Sequence, residues 1–586
     1  MKKGVLFSSV IGLSLVLGSL AIFNLNNSTE YYQPRNYTEA NEGYQGGADW
    51  MHRLRANQIT GEIDAADVLA ARAEIGALKA KSKKSTLNLQ WAELGPDNIG
   101  GRTRAFLISK QTPGLFFAAS VSGGLFRSTN SGSSWNAVND FMDNLAVVSI
   151  AEAPNGDIYI GTGEDLYYNT SGAKSGGILG GGMFKSTDGG VTFDVLPSTV
   201  PSSAGDEFAS VGKIEIDPNN SQKIYVAASR GVRISTDGGS TWSNPLSPSI
   251  TPASDMTMST TGHIWVRSFS QILKSTDGNT FTEISSASPG ATGLPRNSSG
   301  RMRIAVSPQD DNYVYVIMTS NGNFSKAYRT TDGGTTWSEI GSQNSFLNPH
   351  AGQGNFNNAV TVDPKNKDRI LVGGVILWEW SLANGWQQLA SNNRFLQFQS
   401  LWVHSDVHNV VFHPTDKNKI YVCSDGGVTR SIDNGLSWVP VVKNYGTIQF
   451  YDIGVAGDGS VIGGTQDNSN ILINPNATLL AKTGVTLNSG DGGYADISKL
   501  NPSVIFLESQ YGNALRSTDG GGSLANFFDL DRMAPNASIQ PGGSFAFADF
   551  VAPFELYENV FDFNSTDQIR IGADSVSASV GLANFS

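Results

Sequence analysis

The chain has 586 residues, of which 16% are charged and 66 are glycine, and its formal net charge is −12. That balance, without a basic stripe, argues against a nucleic-acid partner, while an acidic surface favours solubility and could attract cations or basic partners. A lone cysteine, Cys423, excludes an intrachain disulfide, and its strand-like neighbours Tyr421 and Val422 mark a buried, inert thiol rather than a nucleophile.

Met1-Lys2-Lys3 precedes an uncharged run from Gly4 to Phe23, which reads as an export signal over residues 1–23. The run is also long enough for a retained anchor, but its Gly and Ser content and the small-residue site Ser19-Leu20-Ala21 favour cleavage. The remainder is expected to be secreted or at the cell surface, with no other membrane segment. Residues 24–88 form a leader, polar and Tyr/Asn-rich to about residue 45 and then helical from Ala48 to Gln58 and from Ile63 to Lys81. Val68, Ala71, Ile75 and Leu78 fall at helical spacing and predict one apolar stripe. A basic linker, Lys79 to Ser85, follows. The leader suits either a pro-segment or a helical pair packed on the domain after it.

From residue 89 to the terminus the pattern is all-β. Val211 to Ile216, the turn Asp217-Pro218-Asn219-Asn220, and Lys223 to Ala228 alternate apolar and polar residues between turn signals. The same order recurs at 359–374 and 407–424. Each such unit ends in a related turn, seen most fully in Thr330-Thr331-Asp332-Gly333-Gly334-Thr335-Thr336-Trp337. Copies centre on Asp188, Asp237, Asp277, Asp433 and Asp519, with Asn130 in a diverged one. The Asp can accept N–H bonds from its own turn, the glycines supply φ > 0, and the aromatic buries a large face against the next unit.

Self-similarity at this period indicates a propeller or solenoid. Gaps of about 101 and 86 residues, near twice the period, each hide a unit without the turn, at 361–389 and 451–473. Nine units result, with a divergent or incomplete tenth from Phe545. The turns match the Asp-box, or BNR, repeat, and the chain resembles the β-propeller group that includes sortilin-type receptors, sialidases and tandem-propeller xyloglucanases. The resemblance implies an all-β fold of four-stranded blades, either about ten in one ring or a seven-blade ring plus part of a second. The single large ring is the preferred expectation.

The turn carboxylates are structural, so function is expected on loops at the ends of inner strands, around a central depression. Strand ends there carry Glu164-Asp165, Asp425-Gly426-Gly427, Asp467 and Asp491-Gly492-Gly493. Arg102, in Gly100-Gly101-Arg102-Thr103-Arg104, could contact an anion there. In an extended strand His404, Asp406 and His408 would share one face, suiting a divalent cation or a His-oriented acid. No sialidase arginine motif is present. The xyloglucanase resemblance puts a catalytic acid in the first blade, where Val121 stands here, and Asp97 could substitute for it. The leading expectation is a propeller that binds a glycan or protein partner at its central face. The alternative is a glycoside hydrolase drawing on Asp97, Asp406, Asp425 and Asp467, with Arg102, Glu164, Asp165 and Asp491 as ligand contacts. No cofactor beyond a divalent cation is implied.

Overall fold

The computed structural model describes residues 44–61, 63–81, 92–164, 177–203, 206–245, 253–290, 293–393, 400–474, 482–526 and 550–558. The expected export signal, Asp165 and most of the tenth unit lie outside these residues. Two helices open the described chain, α1 (Tyr44–Arg55) and α2 (Ala65–Lys81). Helix α2 begins after Asp64 because that carboxylate accepts the backbone N–H of Ala66 at 2.8 Å as an N-cap. The expected apolar stripe is not a buried face, since Ile75 and Leu78 stay exposed. Arg72 docks the helix instead, donating to the carbonyls of Gly180 (2.9 Å) and Leu179 (2.7 Å). Among the described residues no helix is long and apolar enough to cross a membrane.

Among the described residues nine antiparallel sheets follow, each with its strands in chain order. We number them as blades: blade 1 at 103–137, 2 at 147–195, 3 at 211–235, 4 at 253–283, 5 at 302–342, 6 at 359–388, 7 at 409–440, 8 at 450–486 and 9 at 492–526. Blade 3 has three strands, and the Ile234–Ser243 bridge stands where a fourth would pair. The second strand of most blades, such as Ile158–Thr162 or Ile420–Ser424, is buried at every position. Sheets stacked on both faces require this, and it explains why these strands are apolar runs rather than alternating ones.

The hydrophobic cores decide the ring count. Each lies between two successive blades: 1 with 2, 2 with 3, 3 with 4, 4 with 5, 5 with 6 and 6 with 7. The seventh core joins Phe106, Phe116 and Trp135 of blade 1 to Tyr421, Cys423 and Tyr445 on the blade 7 side, with Phe106 stacked on Tyr421 at 5.1 Å. Seven blades therefore close on themselves around a central channel of about 630 Å³, lined by the inner strand of every one of them. Blades 8 and 9 share a separate core. Of the two arrangements expected, the seven-blade ring with part of a second is the one found, and the single large ring is not.

The repeated turns are closed as their chemistry requires. In blade 2 Ser186 Oγ donates to Asp188 Oδ1 (2.8 Å), and Asp188 also accepts the N–H of Val191 and the hydroxyl of Thr192. Gly189 and Gly190 hold φ of 74° and 77°. Equivalent bonds hold the Asp237, Asp332, Asp433 and Asp519 carboxyls below the usual carboxylate range, and their oxygens are occupied by their own turns. Cys423 is fully buried and its thiol is pushed far up by that burial.

Candidate functional site

The site is assembled where blade 8 meets blades 1 and 7. Gly100 and Gly101 carry the chain into blade 1 pressed against the blade 7–8 connection. A Cβ on Gly101 would lie 2.1 Å from Thr447 O, and one on Gly100 would lie 2.9 Å from Gly427 Cα. This close approach aims the next residue, Arg102, at two carboxylates. Its Nε donates to Asp425 Oδ1 (3.1 Å) and its Nη2 to Asp467 Oδ2 (2.7 Å). The Arg102 guanidinium also lies 4.7 Å from the centre of the Phe356 ring.

Arg104, two residues on and inside the first strand of blade 1, sits on the same Phe356 ring and donates to Glu164, to the Phe356 carbonyl and to His408 Nδ1 (2.5 Å). A guanidinium can only donate, so His408 Nδ1 accepts, and the ring's proton is on Nε2, donated to Asp425 Oδ1 at 2.5 Å. Burial, with Arg104 and Arg102 nearby, pushes the His408 pKa well below its ordinary value and keeps the ring neutral. Burial disfavours the Glu164 anion, but Arg104 and Arg102 outweigh it and hold its pKa below the usual range.

Asp406 and Asp467 both adopt left-handed backbone, at φ of 64° and 61°. Such conformations are uncommon outside glycine and concentrate at functional sites. Asn357 Nδ2 donates to Asp406, His404 Nε2 faces the Asp467 carbonyl at 3.1 Å, and Asn468 donates to the Asp425 carbonyl at 3.0 Å. Oxygens of Asp406, Asp425 and Asp467 lie within 4.8 Å of one another. Burial and then the other two carboxylates raise the Asp406 pKa well above the ordinary range. Burial and Asp425 raise that of Asp467 to about 7, with Arg102 opposing. Asp491, whose Oδ1 accepts the Asp467 N–H at 3.3 Å, is raised by burial and by Asp467.

Asp406, Asp467 and Asp491 line a cleft of about 1010 Å³ that also exposes Trp402, His404, Asn392 and Ser489. The side chain of Asp467 is 23% exposed and that of Asp425 is 0%, so Asp467 opens to the cleft and Asp425 does not.

The structure thus gathers Arg102, Glu164, Asp406, Asp425, Asp467, His408 and Asp491, and it separates others. Asp97 is bonded to Lys443 and takes part in the strut that ties the segment before blade 1 to blades 7 and 8, so it does not stand in for the acid missing at Val121. Val121 itself is buried. The His404-x-Asp406-x-His408 row does not form. The strand begins only at Asn409, and the left-handed turn at Asp406 breaks the alternation that would put the three side chains on one face. Among the described residues the set that could hold a cation is the all-oxygen trio Asp406, Asp425 and Asp467, a donor type suited to Ca²⁺ or Mg²⁺. Arg104, Asn357 and Phe356 were not singled out from sequence. For Arg104 the i, i+2 spacing from Arg102 was the available signal.

No family model matches the chain. It is 25% identical over 411 residues to the xyloglucanase Xgh74A of Acetivibrio thermocellus, a match spanning 65% of this chain and 43% of that protein. It is 23% identical over 384 residues to a xyloglucanase of Hypocrea jecorina, spanning 60% and 40%. The chain spans less than half the length of these curated relatives. Among solved structures, the GH74 xyloglucanase of Xanthomonas campestris superposes with a TM-score of 0.56 at 16% identity, covering 75% of this chain and 69% of that one, a likeness of fold.

Proposed function

We propose that the chain is a secreted glycoside hydrolase acting on a xyloglucan-type polysaccharide, with Asp406 and Asp467 as its two reacting carboxyls. One observation carries the reading: these carboxyls, from opposite sides of the joint between the seven-blade ring and blade 8, both face a cleft large enough for a glycan chain. Asp406, kept protonated by its buried anionic surroundings, is the acid that gives a proton to the glycosidic oxygen. Asp467, held by Arg102, is the partner carboxyl. Arg102, itself bonded to Asp425, fixes Asp467, and Asn357 holds Asp406. The relatives' names supply the substrate class.

The test is to incubate the protein with xyloglucan and with unbranched β-glucans, measure reducing ends released, and read the anomer first formed by proton NMR. Hydrolysis, lost in Asp467→Asn and Asp406→Asn, is the expected result. Tight binding without release of reducing ends would replace this reading with that of a glycan-binding propeller.

A further inference from the structure

Helix α1 lies about 400 residues from Asp467 in sequence, yet it reaches the site's acids through one aromatic contact. The Trp50 ring meets Tyr451 edge-on, with centroids 5.2 Å apart at 88°. Phe550 closes the other side of Tyr451 at 6.5 Å and is itself braced by Tyr511 at 5.4 Å. Gly47, one turn before Trp50, is buried against Phe550, and a Cβ there would approach that ring to 3.2 Å. The clamped Tyr451 points its hydroxyl into the site and donates to Asp491 Oδ2 at 3.2 Å. Asp491 in turn accepts the Asp467 N–H with its other oxygen. A continuous path therefore runs from Trp50 through Tyr451 and Asp491 to the backbone of Asp467, at a residue whose left-handed φ leaves that backbone dependent on its partners.

We propose that Tyr451 and Trp50 are positioning residues for the Asp467–Asp491 pair, so that the N-terminal helix is a working part of the site and not a detachable leader. This deepens the hydrolytic reading of Asp467 and rests on it. The titratable and charged groups facing the pair are Tyr451, Arg102, Asp406 and Asp425, with His404 at the Asp467 carbonyl. Gln510 is the neutral neighbour of Asp491 at 3.5 Å. On α1, His52 turns to the Gly61 carbonyl instead, and on 550–558, Glu558 is bonded to Ser498.

The experiment is a carboxyl titration of the full chain by infrared difference spectroscopy, with Asp491→Asn assigning the band, run beside the pH profile of hydrolysis. Tyr451→Phe keeps the ring and removes the hydroxyl. Trp50→Ala removes the clamp, and Trp50→Phe restores an aromatic edge. The hydroxyl bond favours the Asp491 anion, so its loss is expected to move the Asp491 band to higher pH by about one unit, a tenfold change in proton affinity. Trp50→Ala is expected to shift it the same way and Trp50→Phe to restore it, with thermal unfolding still cooperative. A band unmoved in either Tyr451→Phe or Trp50→Ala overturns the proposal. The titration needs no turnover, so it tests the path even in a protein that hydrolyses nothing, and failure of the hydrolytic reading shows separately as no reducing ends from the wild type.

Discussion

Arg102 and Asp467 are 365 positions apart in the chain and joined by an N–H···O bond of 2.7 Å, with Asp425 on the same guanidinium. One cation thus bridges a carboxylate of the ring, fully buried, and a carboxylate of blade 8 that opens to the cleft. Removing one partner of such a pair typically costs about 3–5 kcal/mol, because the charges left behind are uncompensated.

Arg102→Ala is therefore expected to melt well below the wild type in chelator and to regain part of that loss when Ca²⁺ is added. The three carboxylate oxygens within 4.8 Å are the kind of donor set a hard divalent ion accepts once the guanidinium is gone. The wild type, with Arg102 in place, should melt at the same temperature with and without Ca²⁺. Thermal unfolding of both proteins in EDTA and in CaCl₂ checks this, and an equal Ca²⁺ response in the wild type would contradict it.

Stability should fall as pH rises from about 4 towards about 7. Asp467 titrates near 7 in the fold against about 3.9 unfolded, so between those values the folded state binds the proton that the unfolded state has released. The contribution is complete below the unfolded pKa and lost as pH passes the folded one. Asp406 and Asp491, raised for the same reason of burial, add to the slope. The turn carboxylates, held low, work oppositely and withdraw their support only in acid. Midpoints of denaturant unfolding across this range should decline, and Asp467→Asn should flatten the decline.

The repeat, the four-stranded blades and the inertness of the turn acids were legible in the sequence because each depends on residues within one blade. Ring closure was not, since the period says where blades recur and nothing about which blade meets the first. The Phe106–Tyr421 stack that settles it joins residues from opposite ends of the ring. Asp406, Asp425, Asp467 and Arg102 were nameable from their strand-end context, but their convergence was not. The cation-binding row at 404–408 misled because period-2 alternation presumes an extended backbone, and Asp406 leaves it. The N-terminal stripe misled because one arginine bonded to two carbonyls docks α2 without burying Ile75 or Leu78.

Closure itself can be tested at Trp135. Its ring is fully buried between blades 1 and 7, its Nε1 donates to the Val441 carbonyl at 2.8 Å, and its own N–H reaches the Lys443 carbonyl. Trp135→Ala should cost about 3–5 kcal/mol, the usual range for deleting a buried aromatic. A comparable change at Trp402, on the cleft wall, should lower substrate affinity with a much smaller effect on unfolding.

The last expectation concerns Gly101, where fold and site meet. Its N–H donates to Thr447 Oγ1 at 2.8 Å, its carbonyl accepts the Thr103 hydroxyl, and an added Cβ would stand 2.1 Å from a backbone oxygen that no rotamer can move. Gly101→Ala must push the blade 7–8 connection away, and Arg102, the next residue, moves with it. The expected cost is about 1–3 kcal/mol of stability, as for overpacking, together with loss of the Arg102–Asp467 bond and of any turnover that depends on it. Gly76→Ala, in helix α2 with nothing within 4 Å of the new methyl, should be neutral or slightly stabilising. Calorimetry and reducing-end assays on the two variants separate a general intolerance of glycine replacement from the specific joint argued for here. If Gly101→Ala unfolds and turns over like the wild type, then the close approach of these two segments does not fix the arginine, and the site must be held by blade 8 alone.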